Sequence, residues 1–262
     1  MTCAEYADDG EVGIITLSHP PQNRLSAKLL EELAAAVDHA ESSRARVLIF
    51  QSVGDHFSLG ADVSEWPALS DVELRTLIVT INHLCQRVEA LPIPTIAAVR
   101  GGCMGGGFEL ALHCDLIVAA TDAEFRFPEA TLAIPPLAGG VQRLADRIGP
   151  AVTTRLVFLT DSLSGTEAQQ LGLVARTTAP SEVHTVAGAL ARQLADGPTL
   201  AYAATKGLLR GWSHGGVGVA DRLLLELSAG ALKSEDFARA VPIAADALKR
   251  KTPRPVLSFL GH

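Results

Sequence analysis

The sequence predicts an α/β fold in which a mostly parallel sheet is covered by helices and followed by a helical C-terminal region. The chain has 262 residues, of which 48% are hydrophobic, so it can bury a sizeable core. Short apolar runs alternate with helical patterns up to about residue 196, which is the rhythm of a parallel sheet. Only helical patterns follow. We therefore assign 1–196 to a core and 197–262 to a helical, oligomerisation region that docks on this core or on a neighbouring subunit.

The individual elements follow from the period of the apolar residues. Runs rich in branched and small apolar side chains predict strands at 12–17, 47–51, 95–99, 116–120 and 123–127. A period near 3.6 predicts core helices at 27–41 and 72–91, and Ser70 and Glu73 have the spacing of a capping box for the second. After residue 197 the same period predicts helices at 200–210, 217–232 and 235–250. Ser234 is placed to cap the last of these.

Composition excludes several classes of function. The net charge of −7 argues against nucleic acid or an anionic membrane as the main partner. No apolar run reaches the roughly 20 residues of a membrane span, and the acidic N-terminus does not resemble a signal peptide. The four cysteines lack Cys-x-x-Cys spacing and the histidines lack metal-ligand spacing, so we expect a cytoplasmic protein without a metal.

The segment from Arg100 to Asp115 carries the strongest chemical signal. Gly105, Gly106 and Gly107 leave backbone N–H groups uncovered by side chains, at a point where a helix is expected to start. Glu109 follows within the first turn. A carboxylate beside exposed N–H donors indicates acid–base chemistry next to an anion-stabilising pocket. The segment alone is equally well explained by close strand–helix packing, with Glu109 stabilising the helix dipole.

Two further segments have the composition of a binding site. In the first, residues 56–63, Gly60 permits a tight bend, Ala61 lets a ligand approach the main chain, and Asp62 is a candidate helix cap. In the second, Pro128 forces an extended approach to Glu129, which lies in a loop rich in glycine and proline. Taken singly, a capped turn and a solvated surface carboxylate explain these two segments better than function does.

Taken together, the three segments resemble the enoyl-CoA hydratase/isomerase (crotonase) family. The matching motifs are Phe-Ser-Leu-Gly-Ala-Asp-Val at 57–63, Gly-Gly-Gly-Phe-Glu at 105–109, Phe-Pro-Glu at 127–129 and Ala-Gly-Gly-Val-Gln-Arg-Leu at 138–144. Weaker similarities, such as Pro-Gln-Asn-Arg-Leu-Ser at 21–26, extend the resemblance over nearly the whole chain. Several ordered motifs at suitable spacing are hard to produce by chance.

The resemblance implies a spiral of ββα units with a C-terminal helical region, assembled as a homotrimer or a hexamer. It implies an acyl-CoA thioester as substrate and no cofactor, because coenzyme A is part of that substrate. By motif match, the backbone N–H groups of Ala61 and Gly106 form an oxyanion hole. Glu109 and Glu129 match the two glutamates that hold and activate water in hydratases of fatty acid metabolism.

The resemblance also implies a set of substrate-binding residues. The polar parts of coenzyme A are expected near Arg24, which is a candidate phosphate ligand, or else an exposed arginine in a turn. The remaining expected contacts come from the three motif segments, with core packing as the alternative for the last two residues: Ser58, Gly60, Asp62, Val63, Gly105, Phe127 and Leu137.

Two departures from the family pattern leave the reaction open. Leu137 stands where typical hydratases have a glycine beside the catalytic water, and Arg126-Phe127 replaces the usual residues before Pro-Glu. Enoyl-CoA hydration, or its reverse, is the expected activity. The alternatives are another reaction of the family, namely double-bond isomerisation or C–C or thioester cleavage, and a non-catalytic relative that only binds acyl-CoA.

Overall fold

A computed structural model describes residues 2–262 and has the expected α/β architecture. Its larger sheet has six strands in the order β1-β2-β3-β4-β6-β9, in which β1 and β2 are antiparallel and every other neighbouring pair is parallel. A smaller sheet has the order β5-β7-β8. The strands are β1 (Ala4–Asp9), β2 (Val12–Leu17), β3 (Val47–Ser52), β4 (Thr95–Val99), β5 (Gly102–Met104), β6 (Leu116–Ala120), β7 (Glu124–Arg126), β8 (Ser162–Ser164) and β9 (Arg176–Thr178).

Ten α-helices surround and extend these sheets in the part of the chain that the structure describes. They are α1 (Ala27–Ser42), α2 (Asp71–Ala90), α3 (Gly106–His113), α4 (Gly140–Ile148), α5 (Pro150–Leu159), α6 (Gly165–Gln170), α7 (Val183–Ala195), α8 (Thr199–Gly215), α9 (Val217–Lys233) and α10 (Glu235–Arg250). Ser70 and Glu73 form the expected capping box at the start of α2, and Ser234 caps α10. Over residues 2–262, no helix is both long and apolar enough to cross a membrane.

The core lies around the central strands of the larger sheet. Every residue of β4 is buried, and β3 and β6 are buried almost throughout, which explains why they appear in the sequence as continuous apolar runs. The outer strand β1 has the sequence Ala-Glu-Tyr-Ala-Asp-Asp and was not expected, because an acidic edge strand lacks the apolar pattern by which strands are recognised. Helices α4 to α7 and the short strands β5, β8 and β9 were also missing from the sequence prediction.

Polar contacts join the core to α8 and to Gly197 just before it. Arg46 donates through Nε to Thr199 Oγ1 at 2.9 Å and through Nη2 to the Gly197 carbonyl at 2.5 Å. Lys206 pairs with Asp115 at 2.6 Å. By contrast, α9 contains no buried residue. The C-terminal helical region is therefore confirmed over α8 to α10, whereas 251–262 contains no helix, and the boundary at 197 and the role in oligomerisation stay predictions.

Three cysteines sit on elements that surround the interior of the core. Cys85, Cys103 and Cys114 are buried and form no disulfide. Burial raises the pKa of each thiol, in the case of Cys114 to about 12. These thiols are therefore protonated and unreactive in the folded protein.

Candidate active site

The site is built where the turn after β5 leads into α3. Gly105 is the N-cap of α3 with φ +51°, a conformation that glycine adopts without strain. Its amide donates to the Arg126 carbonyl at 3.0 Å, which joins the turn to β7. The helix therefore starts where the glycine run predicts, and Glu109 lies in its first turn. A side chain at residue 105 would also collide with Glu129, because its Cβ would lie 2.8 Å from Glu129 Oε1.

Two backbone N–H groups lie close together next to this turn. A Cβ built on Gly106 would lie 3.9 Å from the nitrogen of Ala61, and one built on Gly60 would lie 3.3 Å from the nitrogen of Gly106. Within residues 2–262, neither the Ala61 amide nor the Gly106 amide has a hydrogen-bond acceptor. Both residues line the same cavity. Two unpaired donors that lie close together at one cavity can bind an oxygen that carries negative charge.

Glu109 is held rigidly by backbone donors. Its Oε1 accepts hydrogen bonds from the amides of Ala138 at 2.7 Å and Gly140 at 2.9 Å, and only 3% of the residue is exposed. Burial raises the pKa of Glu109, and the amides of Gly140, Ala138 and Leu137 partly offset this rise. These amides fix one oxygen of the carboxylate and favour its ionised form.

The loop that supplies these amides is itself anchored on both sides. Asn82 on α2 donates to the Leu137 carbonyl at 3.3 Å, and Arg143 donates to the Gly139 carbonyl at 3.1 Å. Arg143 also forms an ion pair with Glu89 at 2.6 Å. The position of Glu109 is therefore set by contacts from α2 and α4 as well as by its own helix.

Glu129 is also buried, but its carboxyl group has fewer hydrogen-bond partners than that of Glu109. It starts a 3₁₀ turn after Pro128, it is 9% exposed, and its buried Oε2 has no partner in the described part of the chain. Burial and, to a smaller extent, the nearby charge of Glu109 raise the pKa of Glu129 to about 7. Glu129 is thus divided between its acid and carboxylate forms near neutral pH, as a proton donor requires.

A cavity of about 110 Å³ joins these groups. Both glutamates and both unpaired amides line it, together with five other residues of the expected set: Arg24, Gly60, Val63, Gly105 and Leu137. Apart from Arg24 and the glutamates, the side chains of its wall are apolar. Residues 2–262 contain no group of three or more His, Cys, Asp or Glu side chains that could hold a metal ion.

Comparison with known proteins identifies the family of this chain. The model of the enoyl-CoA hydratase/isomerase family matches residues 8–213. A probable enoyl-CoA hydratase of Bacillus subtilis is 39% identical over 176 residues, which cover 66% of this chain and 68% of that protein. A short-chain-enoyl-CoA hydratase of Clostridium acetobutylicum is 32% identical over 201 residues, 76% of this chain and 77% of that protein. The chain belongs to the enoyl-CoA hydratase/isomerase family.

The fold agrees with this assignment. The crystal structure of an enoyl-CoA hydratase subunit I from Geobacillus kaustophilus superimposes with a TM-score of 0.88 and 33% identity, covering 99% of this chain and 98% of that one. An enoyl-CoA hydratase from Bacillus anthracis superimposes with a TM-score of 0.87 and 29% identity, covering 99% of this chain and all of that one. The expected crotonase-like fold with a C-terminal helical region is therefore confirmed.

Three residues expected to bind substrate do not line the cavity. Ser58 is buried, and its hydroxyl donates to the Asn23 carbonyl at 2.7 Å and accepts from the Gly60 amide at 3.2 Å. Phe127 is a core residue that stacks on Phe108 with ring centroids 4.7 Å apart. Ser58 and Phe127 therefore pack beneath the residues that line the cavity.

Asp62 also has a different place from the one expected. Its Oδ1 accepts from the backbone and the hydroxyl of Ser64, at 3.1 and 2.6 Å, so it stabilises a turn. The expectation that Asp62 caps a helix is wrong. The next helical element is a 3₁₀ turn, Trp66–Ala68, whose N-cap is Glu65 and which has no side-chain cap.

Part of the cavity wall was not expected from sequence motifs. Ile78 and Ile81 on α2, together with Leu132 and Ile134, contribute apolar side chains to it. Ile78 and Ile81 are three residues apart and share one face of α2. The sequence gives no sign that this face borders a ligand site, because an apolar stripe on a helix is normally core.

Proposed function

We propose that this protein adds water across the 2,3 double bond of an enoyl-CoA thioester, or removes it in the reverse direction. The observation that carries the proposal is the presence of two buried glutamates of contrasting environment and two unpaired amides around one cavity. The names of the curated relatives, probable enoyl-CoA hydratase and short-chain-enoyl-CoA hydratase, support the same reaction.

Charge stabilisation falls to the two amides. When water adds at C3, negative charge develops on the thioester oxygen as an enolate. Ala61 N–H and Gly106 N–H, which have no other acceptor in residues 2–262, are positioned to donate to that oxygen. One such donor typically lowers the barrier by about 2.7–4 kcal/mol.

The two glutamates divide the proton transfers. Glu109, whose carboxylate is stabilised by backbone amides, takes a proton from water as the oxygen attacks C3. Glu129, with a pKa of about 7 and an unpaired oxygen, donates a proton to C2. Placed acids and bases of this kind contribute roughly 10²–10⁴-fold to a rate.

The lining of the cavity favours a substrate with an uncharged hydrocarbon acyl group. Its outer wall is formed by apolar side chains, and Arg24 is the one cationic side chain among the described residues that line it. A substrate with a second carboxylate would lose hydration there, and Arg24 already donates to Gln22 Oε1 and to the Leu59 and Ala61 carbonyls. Coenzyme A supplies the thioester, and the proposal needs no further cofactor.

Isotope incorporation tests the reaction. The purified protein is incubated with a 2-enoyl-CoA in H₂¹⁸O, and the product is analysed by mass spectrometry. The expected product is a 3-hydroxyacyl-CoA that carries one heavy oxygen. An unlabelled product with a shifted double bond would favour isomerisation instead, a reaction that needs one carboxylate and tolerates the bulk of Leu137 next to Glu109.

We further propose that the helical region 197–262 mediates assembly into a homotrimer or a hexamer. Support comes from α9, which has no buried residue, and from apolar side chains that are exposed in the single chain, such as Leu225 at 77%. Exposed apolar area of this kind is typical of surfaces that associate. Light scattering after size-exclusion chromatography gives the mass, and a monomer would contradict this proposal.

We also propose a reducing, cytoplasmic setting for the protein. Support comes from Cys85, Cys103 and Cys114, which are buried and form no disulfide.

A further inference from the structure

Two extended segments lie side by side beneath the cavity, and one of them carries the Ala61 amide. The Leu59 amide donates to the Gln22 carbonyl, the Leu25 amide to the Gly60 carbonyl and the Asp62 amide to the Leu25 carbonyl, at 2.9, 2.9 and 3.2 Å. This pattern makes Leu25 and Ala61 partners in a parallel bridge. The segment from Gly60 to Asp62 is thereby tied to the chain that contains Arg24.

The bridge orients the donor of the oxyanion hole. In a trans peptide the C=O and the N–H point in opposite directions. Because the Gly60 carbonyl points at Leu25, the N–H of the same peptide unit, which belongs to Ala61, points away from Leu25 and toward the cavity. Any rotation of this one peptide unit would move the donor away from the thioester oxygen.

The side chain of Arg24 holds the carbonyls on both sides of that peptide unit. Its Nη1 donates to the Leu59 carbonyl at 3.4 Å and to the Ala61 carbonyl at 3.3 Å. No backbone N–H in residues 2–262 donates to either carbonyl. Nε donates to Gln22 Oε1 at 2.7 Å, which fixes the plane of the guanidinium. Most of the donors of Arg24 are therefore directed at the protein itself.

We propose that Arg24 is a positioning residue that sets the orientation of the Ala61 amide. This role differs from the phosphate ligand expected from the sequence, and it rests on the proposed function in that Ala61 must be a donor to the thioester oxygen. A guanidinium that bonds two carbonyls flanking one peptide unit restrains that unit more strongly than a point charge would, because its donors are arranged in a rigid plane.

The two roles predict different behaviour with a shortened substrate. The same acyl group is offered on coenzyme A and on N-acetylcysteamine, which has the thioester but no phosphate or adenosine. For Arg24→Met we expect kcat to fall by about 10- to 100-fold on both substrates, somewhat less than the roughly 100- to 1000-fold cost of deleting a donor. We expect KM for the coenzyme A ester to change by less than about threefold.

Companion variants keep the test interpretable. Arg24→Lys can still reach one carbonyl and should recover part of kcat, and Gln22→Ala should give a smaller loss of the same kind. Arg44→Met, an exposed arginine between α1 and β3, is the matched control and should behave as wild type. A loss confined to the coenzyme A ester and expressed as a raised KM would make Arg24 a phosphate ligand and overturn the proposal, as would unchanged kcat on both substrates.

A spectroscopic measurement separates this inference from the reaction itself. Infrared difference spectra give the stretching frequency of the thioester carbonyl in a bound, saturated acyl-CoA, whether or not the enzyme adds water. Wild type should lower this frequency, and Arg24→Met should lower it less. If wild type polarises the carbonyl without hydrating enoyl-CoA, hydration fails while the role of Arg24 stands. An equal shift in wild type and Arg24→Met would refute the role of Arg24.

Discussion

Glu109 and Glu129 face one cavity but are supported in different ways. Two backbone amides bind Oε1 of Glu109, whereas the buried Oε2 of Glu129 has no partner among residues 2–262. Burial raises the pKa of both side chains; the amides of three other residues counteract the rise at Glu109, whereas at Glu129 only its own amide does. Two carboxyl groups that share a site can therefore differ through their hydrogen bonds even where both are buried, and this difference is the basis of the acid and base roles proposed above.

The largest expected effect comes from neutralising either glutamate. Glu109→Gln and Glu129→Gln should each lower kcat for hydration by about 10²–10⁴-fold, because each removes one proton transfer. The double variant should be only slightly slower than the worse single variant, since the two groups act on the same water addition. Steady-state kinetics check this, with binding of a saturated acyl-CoA as the control for an intact site. Full activity in either single variant would remove that residue from the mechanism.

The pH profile should report Glu129. If its acid form donates the proton, kcat/KM falls as pH rises through about 7, by about tenfold per pH unit above that value. Glu109 acts in the proposal as a base, so its titration lowers kcat/KM only as pH falls and does not add to the fall above pH 7. The residual kcat/KM of Glu129→Gln should not fall as pH rises through 7. A limb that persists in this variant would assign the titration to another group.

Substituting the two glutamates should change the free energy of unfolding in opposite directions. In Glu109→Met the amides of Ala138 and Gly140 lose their acceptor, and buried unpaired donors cost about 1–3 kcal/mol each. In Glu129→Met no donor from another residue loses a carboxylate partner. At pH 8 the folded wild type must hold Glu129 ionised above its raised pKa, so we expect this variant to match or exceed wild type there.

Urea unfolding at two pH values measures this difference. The pKa of Glu129 is higher in the folded protein than in the unfolded chain, so its favourable contribution is complete below the unfolded pKa and is lost as pH rises through about 7. Relative to wild type, Glu129→Met should therefore be more stable at pH 8 than at pH 4.5. An equal difference at both pH values would show that the folded environment does not raise this pKa.

The smallest expected effect concerns the wall next to Glu109. Leu137→Ala keeps the backbone N–H but removes most of the side chain that lines the cavity. We expect the preference among acyl-CoA thioesters to move toward bulkier chains by several-fold, with the limb near pH 7 unchanged. Competition between two enoyl-CoA substrates measures the ratio. A changed pH profile would mean that Leu137 also governs the protonation of Glu129.

Local motifs predicted the parts of the site that lie on short contiguous segments. The glycine run predicted the start of α3. Four residues that match the family motifs line one cavity, as expected: Glu109, Glu129, Ala61 and Gly106. What could not be predicted depends on contacts between distant segments. Arg24 is an example, because its partners become visible only once the segment 22–25 lies beside 58–62.

The same limit explains the residues that were misplaced. Phe127 belongs to a binding motif by sequence, yet its ring, just after the end of β7, packs on Phe108 as the ring of Phe125 does. Ile78 and Ile81 were overlooked because α2 has an ordinary amphipathic pattern. The sequence therefore predicted the polar groups at the centre of the cavity more completely than the side chains of its wall.

The buried thiols of Cys85, Cys103 and Cys114 make the folded core a poor target for alkylating reagents. Cys85 is close enough to Glu109 for that carboxylate to contribute, after burial, to raising the pKa of the thiol. Labelling of Cys85 therefore requires that the packing between α2 and the core opens. Time-resolved mass spectrometry of this one modification would measure the rate of that opening without any substitution in the chain.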